Sequence, residues 1–342
     1  MLLSPPLKML DLQPVVKGEF QFWEKDRLVC RLCPHDCALQ EGDEGLCGGR
    51  RMIDGQIIAT NYGQICSLLL DPIEKKPLYH YFPGCEILSV GPNGCNLKCK
   101  WCQNHHFSQA VTPTRLILPQ ALADMVDAVD GLGVAYTYSE PLVWFEYARD
   151  AGRILHERGL RNVFISNGFV NEAPLRELLP FTDAFSIDLK SKEEYCYRHF
   201  CGGRLEDVER TIKIVYESRK HLEITHLLVT GVSTDLNKLE LLVKWVAEID
   251  RAIPLHLIRY FPANKYDEPP TDLQFMSEAY KTARTYLDYV YLGNLWSGEG
   301  QSSYCPHCGE LLIRRSLNHV EIVGLDGNLC SRCGASLNFV IQ

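Results

Sequence analysis

The residues of this chain best suited to chemistry are its cysteines. Fifteen occur in 342 residues, and their spacing is far from random. Cys30, Cys33, Cys37 and Cys47 form one group, Cys95, Cys99 and Cys102 a second, and Cys305, Cys308, Cys330 and Cys333 a third; Cys66, Cys85, Cys196 and Cys201 stand apart. The opening MLLSPPLKMLDLQP is broken by two prolines and an aspartate before a signal-peptide core can form, so a cytoplasmic location is expected. A reducing compartment keeps thiols open, and clustered thiols there point to metals rather than to a disulfide framework.

The last group reads most simply. Two C-x2-C-G knuckles, Cys305/Cys308 and Cys330/Cys333, can close a tetrahedral site of four thiolates, with glycine allowing each tight turn. Such a site is structural, and zinc is the expected ion, with a rubredoxin-like iron as the alternative. The first group, C-x2-C-x3-C-x9-C, also offers four thiolates in a stretch too poor in apolar residues to fold easily without a staple. Zinc and an iron–sulfur cluster both fit that spacing. The middle group, C-x3-C-x2-C, has only three. Three thiolates can hold three irons of a [4Fe–4S] cluster and leave the fourth open for an exogenous ligand such as the amino and carboxylate groups of S-adenosylmethionine. The competing reading is a three-cysteine, one-histidine zinc site completed by His105 or His106.

These groups need a scaffold, and the middle of the chain supplies an alternating one. Apolar runs at 86–92, 133–138, 162–166, 184–190, 222–230, 254–260 and 289–294 read as buried strands. Between them lie helical patterns at 118–129, 141–157, 205–218, 237–249 and 272–287. Repeated alternation of this kind predicts a parallel sheet wrapped by helices, with too few repeats for an eightfold barrel. The predicted fold is α/β, a partial (β/α)6 barrel at 86–299 between a cysteine-rich segment at 1–85 and a small cysteine unit at 300–342. Forty-three acidic against thirty-five basic residues, with no basic stripe, argue against nucleic acid as a partner. No apolar run approaches the roughly 18 residues that span a bilayer.

The loop Cys95-x3-Cys99-Lys100-Trp101-Cys102, directly after the first barrel strand, resembles the hallmark of the radical S-adenosylmethionine (radical SAM) superfamily. CRLCPHDC…GLCGGR, DPIEKKPLYH, VGPNGCNLKCKWCQN, AYTYSEP, ISNGF, SIDLKS, YVYLGN and the CPHCG ending are most similar to the branch called AmmeMemoRadiSam system radical SAM enzymes, relatives of the pyruvate formate-lyase activating enzymes. The resemblance implies that Glu140 accepts from the methionyl amine, in a turn where Tyr138 and Ser139 replace the usual glycines. It further implies that Ser166, Asn167 and Gly168 reach the ribose and carboxylate, that Asp188, Lys190 and His256 lie near the cofactor, and that Trp101 covers the site near the adenine.

Each of these has a structural alternative: Glu140 as a helix N-terminal carboxylate, Asn167-Gly168 as a turn, Asp188 as a cap, Lys190 as a surface charge, and His256 and Trp101 as core residues. Cys196 and Cys201 read as buried small apolar residues, with hydrogen-atom donation or metal ligation as the alternative. The implied function is reductive cleavage of S-adenosylmethionine to a 5′-deoxyadenosyl radical that abstracts hydrogen from a protein, peptide or small molecule. A glycyl-radical-enzyme activating role is an alternative within the class, and a non-catalytic zinc-binding interaction module is the rival outside it. Implied partners are an electron donor such as flavodoxin or ferredoxin, a protein substrate, and Memo-like and AMMECR-like proteins.

Overall fold

The computed structural model describes residues 14–295, 298–316 and 319–341. The proline-broken start and Trp296-Ser297 of the turn before the last cysteine unit lie outside these residues. The organising element is an eight-stranded sheet. Its strands are β1 (Ser67–Pro72), β2 (Glu86–Gly91), β3 (Gly133–Tyr136), β4 (Arg161–Ser166), β5 (Ala184–Asp188), β6 (His221–Leu228), β7 (Leu255–Arg259) and β8 (Val290–Gly293). They lie side by side in chain order. β2 to β8 are parallel and are the seven runs anticipated from apolar patterning, while β1 adds an antiparallel edge.

Helices α1 (Pro119–Ala128), α2 (Phe145–Glu157), α3 (Glu172–Leu178), α4 (Leu205–Glu217), α5 (Leu236–Ile249) and α6 (Leu273–Arg284) return the chain between successive parallel strands. Six strand–helix units and a closing strand thus make the expected partial barrel. α5 and α6 begin on Asp235 and Asp272, whose carboxylates accept from the N–H groups two and three residues on. Pro141 opens a short 3-10 turn, Pro141–Trp144, that runs into α2. The helix α3, which carries Pro174 near its start, was not anticipated.

The two cysteine-bearing flanks are built on the barrel. Upstream, Gln21–Glu24, Arg27–Cys30 and Cys37–Leu39 form a three-stranded antiparallel sheet, beside a hairpin of Arg50–Ile53 and Gln56–Ala59. Leu28, Leu39, Met52 and Ile57 share one apolar core with the barrel residues Tyr136, Phe164 and Phe185. Arg50, 1% exposed, pairs with Glu146 of α2 at 2.7 Å. Downstream, strands Ser303–Tyr304, Leu311–Ser316 and His319–Ile322 form a second small sheet. Leu312, Leu337 and Phe339 pack there on Tyr289 and Tyr291 beside and within β8.

His80 ties this last unit to the barrel. It is fully buried, stacks on Phe339, and bonds the Asn338 carbonyl at 2.7 Å and the Tyr291 hydroxyl at 2.6 Å. Burial pushes its pKa down to about 3, and pushes that of buried His226 down to about 4. Both values lie below that of an unfolded histidine, so the unfolded chain takes up protons first and stability falls as pH drops below about 6.5. For a group like His80 the loss between pH 7 and pH 5 is about 2 kcal/mol. His80→Gln should therefore be less stable at pH 7 yet lose less on acidification, by about that amount. Urea unfolding at the two pH values checks this, and an unchanged difference would contradict it.

Candidate active site

The loop after β2 carries the three central cysteines, and its neighbours dictate its shape. Gly94 has φ +100°, and a Cβ there would collide with the Cys47 carbonyl oxygen, so only glycine fits. Further along, the Lys98 and Lys100 N–H groups donate to the Cys201 and Phe200 carbonyls at 2.7 and 3.0 Å. Cys95, Cys99 and Cys102 then line one cavity of ≈ 660 Å³ at the C-terminal ends of the parallel strands, where ligands sit in such folds. A volume of that order suits a small-molecule ligand.

The walls of this cavity include Trp101, Glu140, Ser166, Asn167, Asp188, Lys190 and His256. Sequence reasoning singled out all seven. Gly168 does not line the cavity; its φ of +71° serves the turn, and its α-carbon faces Ile187 and Val208. Trp101 is buried, tilted against Phe200 and edge-on to Tyr266. Cys196 and Cys201 are buried, as expected of small apolar residues, but the Cys201 thiol lies against the Cys99 sulfur and lowers its pKa from the ordinary thiol value.

Glu140 has two jobs. Its carboxylate accepts from the Leu142 N–H at 3.0 Å, capping the 3-10 turn, and from the Ser166 hydroxyl and Asn167 N–H, both at 2.8 Å. Three bonds leave acceptor capacity on a carboxylate that also faces the cavity. Burial raises its pKa to about 7 in spite of these donors. Asp188 and Lys190 pair at 2.9 Å. Burial opposes the lysine charge, but Asp188 and the Cys99 sulfur keep its pKa well above the ordinary value. His256 gives Nε2 to Glu223 at 2.6 Å.

Other residues in and behind the wall were not anticipated. Glu223, fully buried near the start of β6 and behind His256, also accepts from the Tyr79 and His80 N–H groups and pairs with His221. Asp71 pairs with buried Lys76 at 2.8 Å and accepts from the Tyr138 hydroxyl at 2.9 Å. Asp71, Lys76 and Tyr79 all fall in the DPIEKKPLYH passage, which was noted only as a whole. Tyr138 has φ +70°, so the turn keeps the left-handed conformation natural to glycine although glycine is absent.

None of the fifteen cysteines is in a disulfide. Among the described residues only Cys305, Cys308, Cys330 and Cys333 bring three or more ligand atoms within 4.8 Å of one another. Their cross-pairs, Cys305–Cys333 and Cys308–Cys330, are each 3.7 Å apart, close to the ~3.8 Å edge of a tetrahedron with 2.3 Å metal–sulfur bonds. Neither His105 nor His106 closes a single-ion site on the central thiols; His105 bonds the Cys102 carbonyl instead. Among the described residues no helix is long and apolar enough to cross a membrane.

A parallel partial barrel with three thiols at its strand-end cavity defines a class, and comparison with known proteins agrees with it. Residues 90–246 match the family model described as the radical SAM superfamily. An uncharacterized protein of Methanocaldococcus jannaschii is 36% identical over 334 residues, which covers 94% of this chain and 99% of that protein. A pyruvate formate-lyase-activating enzyme of Staphylococcus epidermidis is 22% identical over 224 residues, 57% of this chain and 86% of the enzyme. The crystal structure of Streptococcus suis SuiB bound to S-adenosylmethionine shares the fold at a TM-score of 0.50 and 14% identity, over 63% of this chain and 53% of that one. Residues 90–246 thus form a radical SAM superfamily domain; members of that superfamily are enzymes, and the domain implies a [4Fe–4S] cluster and S-adenosylmethionine.

The residues present fit those groups. The Leu97 N–H and the Asn167 amide are directed at the Cys95 sulfur at 3.3 and 3.6 Å, the donors a thiolate ligand needs. The Ser108 hydroxyl meets the Cys102 sulfur at 3.2 Å. Removing one charge-assisted contact costs on the order of 1.5–3 kcal/mol, so Glu140→Gln and Lys190→Met should each weaken S-adenosylmethionine binding by roughly 10- to 100-fold. Iron content should not change, because neither side chain is a ligand. Titration of the cofactor against the cluster's electron paramagnetic resonance signal is the check; unchanged affinity in both variants would remove these residues from the pocket.

Proposed function

We propose that this protein cleaves S-adenosylmethionine reductively and abstracts hydrogen from a protein, peptide or small-molecule substrate. The observation that carries the reading is one strand-end cavity lined by Cys95, Cys99, Cys102, Glu140, Asn167, Asp188, Lys190 and His256. When bound, a [4Fe–4S] cluster and the sulfonium cofactor supply a 5′-deoxyadenosyl radical. The chain's own work is placement. Cys95, Cys99 and Cys102 would hold such a cluster, and the loop supplies three thiols and no fourth.

Glu140 accepts from the methionyl amine at its free lone pair, in the turn shaped by Tyr138. Lys190, kept charged by Asp188, provides donors for carboxylate and ribose oxygens, and His256, whose Nε2 is held by Glu223, leaves Nδ1 as an acceptor for a ribose hydroxyl. Ser166 and Asn167 hold the Glu140 carboxylate in place and present polar atoms to the same ligand. Gly168 acts through the turn it allows rather than by contact. Trp101, braced by Phe200 and Tyr266, shields the site from water, which protects a reactive intermediate from side reactions.

The 22% identity with a pyruvate formate-lyase-activating enzyme favours a second reading, in which the substrate is a glycine of a partner protein. The likeness to the AmmeMemoRadiSam branch suggests Memo-like and AMMECR-like partners, with flavodoxin or ferredoxin as electron donor. The C-terminal four thiolates, at tetrahedral spacing, we assign to structural zinc. A purely non-catalytic zinc module finds no support in the central thiols, which do not converge on a single ion.

Replacing Cys95, Cys99 or Cys102 with alanine removes one of three iron ligands and should abolish 5′-deoxyadenosine formation in anaerobic assays with reductant. Any single variant that keeps full cleavage activity refutes the reading. Cys308→Ala should lose zinc without losing the iron of the central site. Elemental analysis decides that point, and unchanged zinc in the variant would overturn the assignment. Mass spectrometry of candidate protein partners after incubation with enzyme, reductant and S-adenosylmethionine tests the activating role; a mass change confined to one glycine supports it.

A further inference from the structure

The N-terminal cysteines lie outside the cavity described above and share a hollow of their own. Cys30, Cys33, Cys37 and Cys47 all line it, closed by Leu32, Leu46, Val143 and Arg50. Cys30, Cys33 and Cys47 are buried. The backbone N–H groups of Leu32, His35 and Gly49 are directed at the sulfurs of Cys30, Cys33 and Cys47 respectively. Donors of this kind stabilise thiolate ligands.

Sulfur separation tells what four such thiolates can hold. A single tetrahedral ion draws every pair to about 3.8 Å, and the C-terminal quartet shows this chain building that arrangement. Among the described residues the N-terminal sulfurs do not come together in this way: no three of them lie within 4.8 Å of one another. Cys95, Cys99 and Cys102 share that wider spacing. Thiols that face one hollow yet stand too far apart for one ion suit a cluster, in which each thiolate binds its own iron and sulfide fills the centre.

Arg50 is an independent observation. Its side chain is 1% exposed and borders the hollow, and its Nε has no hydrogen-bond partner. Glu146 balances the charge through the other guanidinium nitrogens at 2.7 and 2.8 Å. A buried donor left unpaired costs on the order of 1–3 kcal/mol. An anionic group with sulfur acceptors in the hollow would satisfy it.

We propose that Cys30, Cys33, Cys37 and Cys47 hold a second, fully ligated [4Fe–4S] cluster. It sits next to the first site: the Cys47 carbonyl abuts Gly94, and His35 Nε2 lies 2.6 Å from the Asn96 carbonyl. With four protein ligands it has no open iron and does not bind S-adenosylmethionine.

The experiment uses the full chain with Cys95, Cys99 and Cys102 all changed to alanine, reconstituted anaerobically with iron and sulfide. The expected product is brown, holds about four irons, and on reduction gives a paramagnetic signal that S-adenosylmethionine leaves unchanged. Wild type should hold about eight irons, and Cys33→Ser/Cys47→Ser about four, with cofactor-sensitive signal retained. A colourless triple variant, a second zinc per chain in place of iron, or a signal altered by S-adenosylmethionine each overturns the proposal. Should the triple variant fail to fold, wild-type iron decides: clearly above about four supports the second cluster, and about four or fewer refutes it. If wild type and triple variant hold equal iron, the central-site reading fails while the N-terminal cluster stands, so the two are separable.

Discussion

The nine residues from Gly94 to Cys102 contain no helix and no strand, yet they enter a buried site. Buried backbone groups must find partners, and a loop without regular structure must find them elsewhere in the fold. Several other parts of the chain provide them. The Phe107 carbonyl accepts from the Gly94 N–H, the 197–201 turn accepts from Lys98 and Lys100, and Lys265 donates back to the Lys100 carbonyl. His35 of the N-terminal unit meets the Asn96 carbonyl, and Asn264 donates to that of Cys99. The Asn96 side chain reaches on to the Phe169 carbonyl after β4. The orientation of three thiols is thus set by the barrel as a whole, which is why the flanking unit shares its core with the barrel.

The same economy governs charge around the cavity. A buried carboxylate or ammonium is costly unless paired. Here Asp188 faces Lys190, Asp71 faces Lys76, and Glu223 is shared between His221 and His256. Glu140 is the exception, held by neutral donors alone, and it is the carboxyl whose pKa is pushed up to about 7. An incoming cationic group would complete at Glu140 the pairing that the protein has built everywhere else around the cavity.

Much of the fold was legible in the sequence because parallel strands are buried on both faces and read as apolar runs. β2 to β8 fell where those runs predicted, within a few residues at the ends. β1 escaped notice because SLLLDP is an edge strand with Leu69 and Leu70 exposed and a closing Asp-Pro. Glu223 escaped for the opposite reason: one acid in an otherwise apolar run looks like a tolerated exception, and three of its four partners are remote, His256 on β7 and the Tyr79 and His80 N–H groups of a turn more than 140 residues upstream, with only His221 on its own strand. The cysteine groups were visible as spacings. What spacing does not carry is sulfur-to-sulfur distance, which depends on how the tertiary structure aims each side chain, so the first group stayed open between zinc and a cluster.

Tyr138 shows how a motif position can change residue and keep its geometry. Left-handed backbone costs a non-glycine residue about 1–2 kcal/mol, so the conformation persists only where something repays it. The tyrosine hydroxyl bonds Asp71, and its ring lies under the Lys76 ammonium at 4.8 Å; contacts of these kinds are worth about that much together. A glycine would make neither. The substitution therefore couples the turn that leads into Glu140 to the buried Asp71–Lys76 pair on and beside β1, and gives the antiparallel edge strand a part in shaping the cavity.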